Sequence, residues 1–373
     1  MERKFMKGCE AVAEAAVRAG CRFFAGYPIT PQNEVPEYFA RRLPEVGGQF
    51  VQGESEVASI NMVMGAASAG VKAMTSSSSP GVSLKAEGVS QAANGSMPLV
   101  VANFMRGGPG GGSIQPAQSD YWQATKAMGN GGYKLIVVSP GTLQEAVDLT
   151  YKAFELAERD RNPVMILADG CIGAMMEPVV LPEMKSDEQL EKEKQARKNW
   201  LVNGYKYRDI GPVNIDLWGG RTSMLAMEAI AAGEKPGPRG LEESNRVSGE
   251  LYEKWAKEDT MVELYQMDDA EYVITGYGTA GRVAKSAVDA LRAEGVKVGL
   301  IRPIIVFPFP YDAYKALCPD KIKFILDVEM AVPGQMVEDV KVAIQDRIPV
   351  HQFGRSGGNI VGREEIIAAF KAL

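Results

Sequence analysis

Up to Leu181, short apolar runs alternate with longer stretches of helical periodicity, the pattern of βα units around a parallel sheet. The runs Arg22–Gly26, Gln49–Gln52, Val71–Met74, Leu99–Asn103, Leu135–Val138 and Val164–Leu167 predict strands. Helices are expected at Glu10–Ala19, Pro31–Leu43, Glu56–Ala69, Pro80–Asn94, Ala117–Met128 and Thr142–Arg159. Strands apolar on both faces suit a doubly wound α/β sheet covered by helices on each side. In such folds the reacting groups gather in the loops that follow the strand C-termini.

From Pro182 to Gln266 the periodicity weakens. Pro182–Arg197 is charged and polar, and Pro236–Gly240 reads PGPRG. The stretch is too long for a simple connection, so it is expected to be an irregular excursion lying on a partner or on the first domain. For its most polar part the alternative is a partly disordered linker. From Tyr272 the alternation returns, with strands at Tyr272–Thr275, Val298–Ile301, Lys323–Asp327 and Val350–Phe353. Helices fit Gly281–Glu294, Asp312–Leu317, Gln335–Gln345 and Glu364–Lys371. The expected division is thus 1–181, 182–266 and 267–373, the last a second, smaller α/β domain.

Composition narrows the chemistry. The chain has 373 residues, 46% apolar and 24% charged, enough for two or three domains with a sizeable core. A formal net charge of −6 offers no basic field to nucleic acid or an anionic membrane. There is no apolar run of bilayer length, and Met1–Gly8 is charged and lacks a signal-peptide core. The expected location is the cytoplasm. Cys9, Cys21, Cys171 and Cys318 are scattered with no CxxC pair for a metal or iron–sulfur cluster. His351 is the single histidine, which argues against histidine triads and multi-histidine metal sites. Carboxylates, arginines, hydroxyls, backbone amides or a borrowed cofactor are left to carry any reaction.

Several strand-to-helix turns offer such groups, each with a bland reading beside the functional one. In Tyr27-Pro28-Ile29-Thr30-Pro31, Pro31 suits a first helical position and makes Thr30 the expected N-cap, its hydroxyl near free backbone amides. In Gly53-Glu54-Ser55-Glu56, carboxylates favour a helix's first turn whether or not they act, and position alone does not separate Glu54 from Glu56. Thr75–Gly81 reads TSSSSPG, either an anion-friendly cup of hydroxyls and amides or a polar loop with a capping serine ahead of Pro80. Arg106–Gly112 reads RGGPGGG: a planar donor fork beside a backbone that permits close approach, or a loop with a solvated arginine. Gly276–Gly281 matches GxGxxG between a strand and a helix. The acidic residue expected about 20 positions on is missing, since the next strand ends at Arg302-Pro303. A packing turn or partner contact therefore fits that motif better than a nicotinamide site.

Together and in this order, GYPITPQNEVPEYF, QGESEVASINMVMGAASAG, MTSSSSPG, MRGGPGGGSIQPAQSDY, RPIIVFPFP and PGQMVEDV resemble the α-type subunit of 2-oxoacid:ferredoxin oxidoreductases. The resemblance covers most of Met6–Leu181 and Glu271–Leu373, and is nearest to the branched-chain, 2-oxoisovalerate type. It implies a pyrimidine-binding domain of the thiamine diphosphate fold followed by a transketolase C-terminal-like domain. A β-type partner would hold the diphosphate and Mg2+, and Asp169-Gly170 here indeed lacks the remainder of a diphosphate–metal motif. Partner subunits, γ-type and ferredoxin-like, would carry [4Fe-4S] clusters and pass electrons to ferredoxin, with coenzyme A as co-substrate.

Carried over residue by residue, the resemblance makes Glu56 the glutamate that contacts the aminopyrimidine ring and activates the cofactor, with Glu54 the lesser candidate. It places Ser78, Ser79 and Pro80 at the cofactor. Thr30 and Arg106 would contact the substrate, the arginine through the 2-oxoacid carboxylate, with Tyr27, Pro28, Ile29, Gly107 and Gly108 around them. The 2-oxoglutarate type often carries a threonine five residues after the arginine, where this chain has Gly111. That change fits a less polar, branched side chain, although one position does not set specificity. The alternatives are the same enzyme class acting on 2-oxoglutarate, pyruvate or an aryl pyruvate; a nicotinamide-binding reductase component built on Gly276–Gly281; and a non-catalytic scaffold.

Overall fold

The computed structural model describes residues 2–197 and 239–373. Its first stretch contains β1 (Glu2–Lys7), β2 (Phe23–Gly26), β3 (Gln49–Gln52), β4 (Ala73–Ser77), β5 (Leu99–Gly107), β6 (Ser113–Pro116), β7 (Ile136–Val138), β8 (Val164–Asp169) and β9 (Met176–Leu181). Between them run α1 (Gly8–Arg18), α2 (Glu34–Glu45), α3 (Glu56–Ser68), α4 (Pro80–Asn94), α5 (Leu143–Asp160) and α6 (Gly170–Ala174), followed by α7 (Asp187–Arg197). The second stretch holds α8 (Arg239–Glu258), β10 (Val262–Tyr265), β11 (Tyr272–Thr275), α9 (Gly278–Ala293), β12 (Val298–Pro303) and β13 (Ile305–Phe307). It continues with α10 (Tyr311–Lys315), β14 (Ile325–Glu329), α11 (Met336–Ile344), β15 (Val350–Gly354) and α12 (Arg363–Lys371).

The first sheet has the order β13-β7-β8-β5-β4-β2-β3, with β6 returning antiparallel on β5. Its central strands are parallel. As a sheet covered on both faces requires, β4 and β8 are buried throughout and β5 nearly so, β4 although three of its five residues carry hydroxyls. One face packs on α1, α2 and α5, where Ala, Val, Leu and Phe side chains close the core. The other face carries α3 and α4, and its apolar cluster continues into Tyr277, Phe309, Tyr314 and Met336 of the second stretch. The second sheet, β10-β12-β11-β14-β15, is parallel except for β10. It has a separate apolar cluster with α9 and α12 on its far side.

Several expectations need correction. The stretch 182–266, expected to be irregular, contains α7 and α8 among its described residues and ends in β10, an edge strand of the second sheet. Trp255 of α8 is buried in the core beneath the first sheet, and its indole Nε1 donates to Asp160 (2.8 Å). Burial of that one large ring gives α8 a seat which polar composition hides. Residues 198–238, including most of the PGPRG region, lie outside the described residues. Strand β13, from the region assigned to the second domain, pairs antiparallel with β7 at the edge of the first sheet. The expected helix Ala117–Met128 is reduced to a π-helical turn at Gln123–Ala127. Before that turn the chain is tied to the second sheet: Gln118 exchanges hydrogen bonds with the Met330 backbone, donates from Nε2 to the Tyr277 carbonyl and accepts from the Tyr277 hydroxyl.

Candidate active site

Strands β5, β4, β2 and β3 are neighbours, so the turns after their C-terminal ends come together along one edge of the first sheet. Glu56 opens α3 there. Ser55 caps that helix, its hydroxyl accepting from the Ala58 amide (3.1 Å). This frees Glu56 from capping, and it turns inward, 6% exposed. Glu54 is exposed. The structure thus separates two carboxylates that the sequence leaves equivalent.

The Glu56 carboxylate sits in a notch made by the first turn of α4. A Cβ at Gly81 would lie 2.5 Å from Glu56 Oε1 and collide with Ser77 Oγ, so only glycine admits the carboxylate at this place. Ser77 Oγ borders the same notch, and the hydroxyls of Thr75, Ser77 and Ser78 are buried and have no hydrogen-bond partner. On β4, Thr75 and Ser77 share one face, while Ser76 points to the other and donates to Gln32 Oε1. Buried polar groups are almost always satisfied. Three orphaned hydroxyls beside a buried carboxylate mark a place where a polar partner belongs.

Ser79 is different. Its bland reading, a cap ahead of Pro80, does not hold, since it makes no capping bond. Its hydroxyl donates to Asp120 Oδ2 (2.5 Å), while its amide donates to Asn103 Oδ1 (3.0 Å). The Arg106 amide donates back to Ser79 Oγ (3.0 Å). These bonds hold Ser79 at φ 25°, a strained conformation for a residue with a side chain. Asp120, which sequence reasoning did not single out, is 8% exposed and also accepts from Asn103 Nδ2 (2.9 Å). Burial pushes its carboxyl up, against the pull of its hydrogen bonds to Ser79, Asn103 and Ser119. Ser79 thus braces the Arg106 loop from within.

Arg106 ends the buried run of β5. Its Nη1 donates to the Thr30 carbonyl (3.0 Å) and its Nη2 to the Gly111 carbonyl (3.1 Å), while Nε is buried without a partner. Each terminal nitrogen carries two hydrogens, so each keeps one for an anion. Thr30 is not the N-cap expected of it: α2 begins at Glu34 behind Asn33, and exposed Thr30 forms a turn with half-buried Pro31. The cause is tertiary, since Gln32 is buried by its bond to Ser76 and delays the helix. Tyr27 and Pro28 are exposed beside that turn, with Ile29 half-buried. Gly107 is buried and Gly108 half-buried, and a Cβ on Gly107 would lie 3.2 Å from the Gly357 and Gly358 backbone of the second domain.

Lys85 also escaped the sequence reading. It lies one turn beyond Gly81 on α4, is 0% exposed, and donates from Nζ to the Glu56 carbonyl (3.2 Å). Burial pushes its ammonium down to about 8, opposed by the Glu56 charge.

The GxGxxG turn is occupied by the chain itself. Asp169, at the end of β8, accepts from the Thr279 amide (3.2 Å) and hydroxyl (2.8 Å), and from the Cys171 and Ile172 amides (3.0 and 3.1 Å). Gly278 has φ +51°, and a Cβ there would lie 2.9 Å from Gln118 Nε2. A protein carboxylate therefore stands where a dinucleotide phosphate would bind. The nicotinamide alternative is overturned, and the motif is a packing turn between the two sheets. Among the described residues no cluster of three or more metal-binding side chains occurs, and no helix is long and apolar enough to cross a membrane.

Residues 14–217 match a family model described as pyruvate flavodoxin/ferredoxin oxidoreductase, thiamine diphosphate-binding. Residues 270–366 match one described as pyruvate:ferredoxin oxidoreductase core domain II. A ketoisovalerate oxidoreductase subunit VorB of Methanothermobacter marburgensis is 42% identical, the alignment covering 100% of this chain and 98% of that protein. A 2-oxoglutarate synthase subunit KorA of Methanocaldococcus jannaschii is 34% identical over 98% of each chain. Among solved structures, a 2-oxoglutarate:ferredoxin oxidoreductase from Magnetococcus marinus, with 2-oxoglutarate, coenzyme A and succinyl-CoA bound, superposes with a TM-score of 0.79 at 26% identity. That alignment covers 99% of this chain and 65% of the other, which is longer.

Proposed function

Because this chain belongs to the pyruvate flavodoxin/ferredoxin oxidoreductase family, we propose that it is the α-type subunit of a 2-oxoacid:ferredoxin oxidoreductase. In that role it supplies the pyrimidine half of a thiamine diphosphate site. The observation that carries this reading is at the first sheet's edge, where Glu56 lies buried beside Ser77 in a turn whose Thr75, Ser77 and Ser78 hydroxyls are unpartnered. A carboxylate and orphaned hydroxyls suit a ring with both basic nitrogen and amino donors, so the residues present fit the aminopyrimidine.

When bound, thiamine diphosphate supplies a carbon nucleophile for the 2-oxo group and accepts the electron pair left as carbon dioxide departs. With the ring in place, the Glu56 carboxylate would be the group that exchanges a proton with it, a role favoured by the buried surroundings of that carboxylate. The hydroxyls of Ser77 and Ser78 and the backbone at Pro80 would hold the ring's edge. Arg106 offers its two remaining Nη hydrogens to the substrate carboxylate, a charge-assisted fork. Thr30 presents its hydroxyl from the adjoining turn, and Tyr27, Pro28, Ile29, Gly107 and Gly108 shape the entrance.

The substrate is a branched-chain 2-oxoacid, 2-oxoisovalerate. The 42% identity to the ketoisovalerate subunit and the absence of a hydroxyl at Gly111 support this. 2-Oxoglutarate is the second reading, favoured by the KorA relative and the Magnetococcus structure. Coenzyme A is the acyl acceptor. A β-type subunit holds the diphosphate and Mg2+, and γ-type and ferredoxin-like subunits carry [4Fe-4S] clusters towards ferredoxin, in the cytoplasm. Exposed Val57 and Met62 on α3 and Leu84 on α4, beside the pocket, support a partner closing over it.

The test is anaerobic dye reduction by the native complex with coenzyme A across a panel of 2-oxoacids. The expected result is a preference for 2-oxoisovalerate. Preference for 2-oxoglutarate would keep the mechanism and overturn the substrate. Failure with every acid, in a complex loaded with cofactor and clusters, would overturn the reading.

A further inference from the structure

Lysine is almost never fully buried unless its charge is paired. Lys85 is fully buried, yet among the described residues its ammonium makes a single hydrogen bond, to the Glu56 carbonyl. The Glu56 charge opposes the effect of burial on that ammonium. Gly81 and Lys85 are four residues apart on α4 and so lie on one face of that helix. The first makes room for the Glu56 carboxylate and the second grips the Glu56 backbone. One helix thus brings both a notch and a cation to the same glutamate.

From this geometry we propose that Lys85 is a positioning residue for the reaction, the fixed counter-charge that anchors Glu56 and aims its carboxylate into the pocket. The proposal rests on the reading of Glu56 given above. A carboxylate taken out of water alone takes up a proton and ceases to be an acceptor. A cation built into the same dry pocket reverses that preference and costs little reorganisation when the ring binds. Because the ammonium points at the carbonyl rather than closing a direct ion pair, both carboxylate oxygens remain available.

The test uses the assembled complex with Lys85→Met, Lys85→Gln, Glu56→Gln and the Glu56→Gln/Lys85→Met double variant. Methionine has a similar length and suits a buried position, so assembly is expected to survive. Lys85→Met should move the acid limb of the kcat/KM pH profile up by about one pH unit. It should also weaken thiamine diphosphate binding to the cofactor-depleted complex by about tenfold, read by titration calorimetry. In the Glu56→Gln background the same change should alter that affinity by less than about twofold, because the charge it serves is gone.

An unmoved acid limb with native cofactor affinity in Lys85→Met would overturn the proposal even where Glu56→Gln is inactive. If Glu56→Gln retains near-native turnover, the reading of Glu56 itself fails and takes the proposal with it. Should Lys85→Met not assemble, Lys85→Gln decides. An assembled Lys85→Gln complex with the limb shifted supports the counter-charge, and one with a native limb shows a donor role only and overturns it.

Discussion

Two turns in this molecule lead from a parallel strand into a helix and are built from small residues, yet they have opposite fates. At the end of β4, the hydroxyls of Thr75, Ser77 and Ser78 are buried without partners, and Ser77 lies beside Glu56. After β11, the Gly276–Gly281 turn has its Thr279 amide and hydroxyl taken by Asp169 of the first sheet. By sequence the second turn looks the better ligand site. By structure only the first has unused hydrogen-bonding capacity. A motif of glycines and hydroxyls thus describes a shape, while function depends on whether the rest of the chain has already filled it.

The comparison can be broken most sharply at Glu56. Glu56→Ala is expected to lower turnover by roughly 10²- to 10⁴-fold, the range for removing a proton-transfer group, while the complex still assembles. Near-native turnover with intact assembly would remove the first turn from the chemistry.

Next comes a paired glycine test. Gly81→Ala should displace the Glu56 carboxylate and cost on the order of 10²-fold in kcat, as a misplaced catalytic group does. Gly278→Ala, at a positive φ in the filled turn, should instead lower stability by about 1–3 kcal/mol with kinetics little changed. Equal kinetic loss from both variants would erase the distinction between the turns.

Arg106→Ala should chiefly raise the apparent KM, by about 10- to 100-fold, since it removes a charge-assisted fork to the substrate carboxylate. A variant with altered thiamine diphosphate affinity and an unchanged KM would contradict that role.

The smallest effect is expected at Asp169, whose carboxyl burial raises despite its hydrogen bonds to Thr279, Ile172 and Cys171. A raised value means that the native state holds this proton more tightly than the unfolded chain. Its contribution to stability is therefore full below the ordinary carboxyl value of 3.8 and declines as pH rises through the raised value. Asp169→Asn should remove that decline, so its melting temperature should fall less between acid and neutral pH than that of the native chain. The variant should still show no stabilisation by NADH or NADPH. A nucleotide-dependent shift in the native chain would reopen the second turn as a site.

Much of the fold was legible because buried parallel strands advertise themselves. The β5 and β8 runs are apolar at nearly every position, and the caps Ser55 and Thr142 sit where local chemistry puts them. What escaped was non-local. Strand β13 is three residues long and finds its partner β7 in a distant part of the chain, a pairing no window of sequence contains. The Thr30 cap failed because Gln32 is pulled inward by Ser76 on another strand.

In the candidate site, residue types were readable and commitments were not. Lys85, in a stretch reading SLKAEG, has the look of a solvated helical lysine, and only the packing of α4 against α3 buries it. Asp120 stood inside a quoted motif, but its grip on Ser79 and Asn103 requires the turn after β4 and the middle of β5 in one place. Sequence weighed Asp169 only as part of a metal motif, although it is the residue that closes the second turn.

The central claim is that the open turn beside Glu56 is the pyrimidine half of a thiamine diphosphate site. A cryo-electron microscopy structure of the complete complex with the cofactor bound tests it most directly. The account predicts the aminopyrimidine within hydrogen-bond distance of the Glu56 carboxylate, ringed by Ser77 and Ser78, with Gly276–Gly281 still closed by Asp169. A cofactor ring seated away from Glu56, or a nucleotide in the second turn, would contradict it.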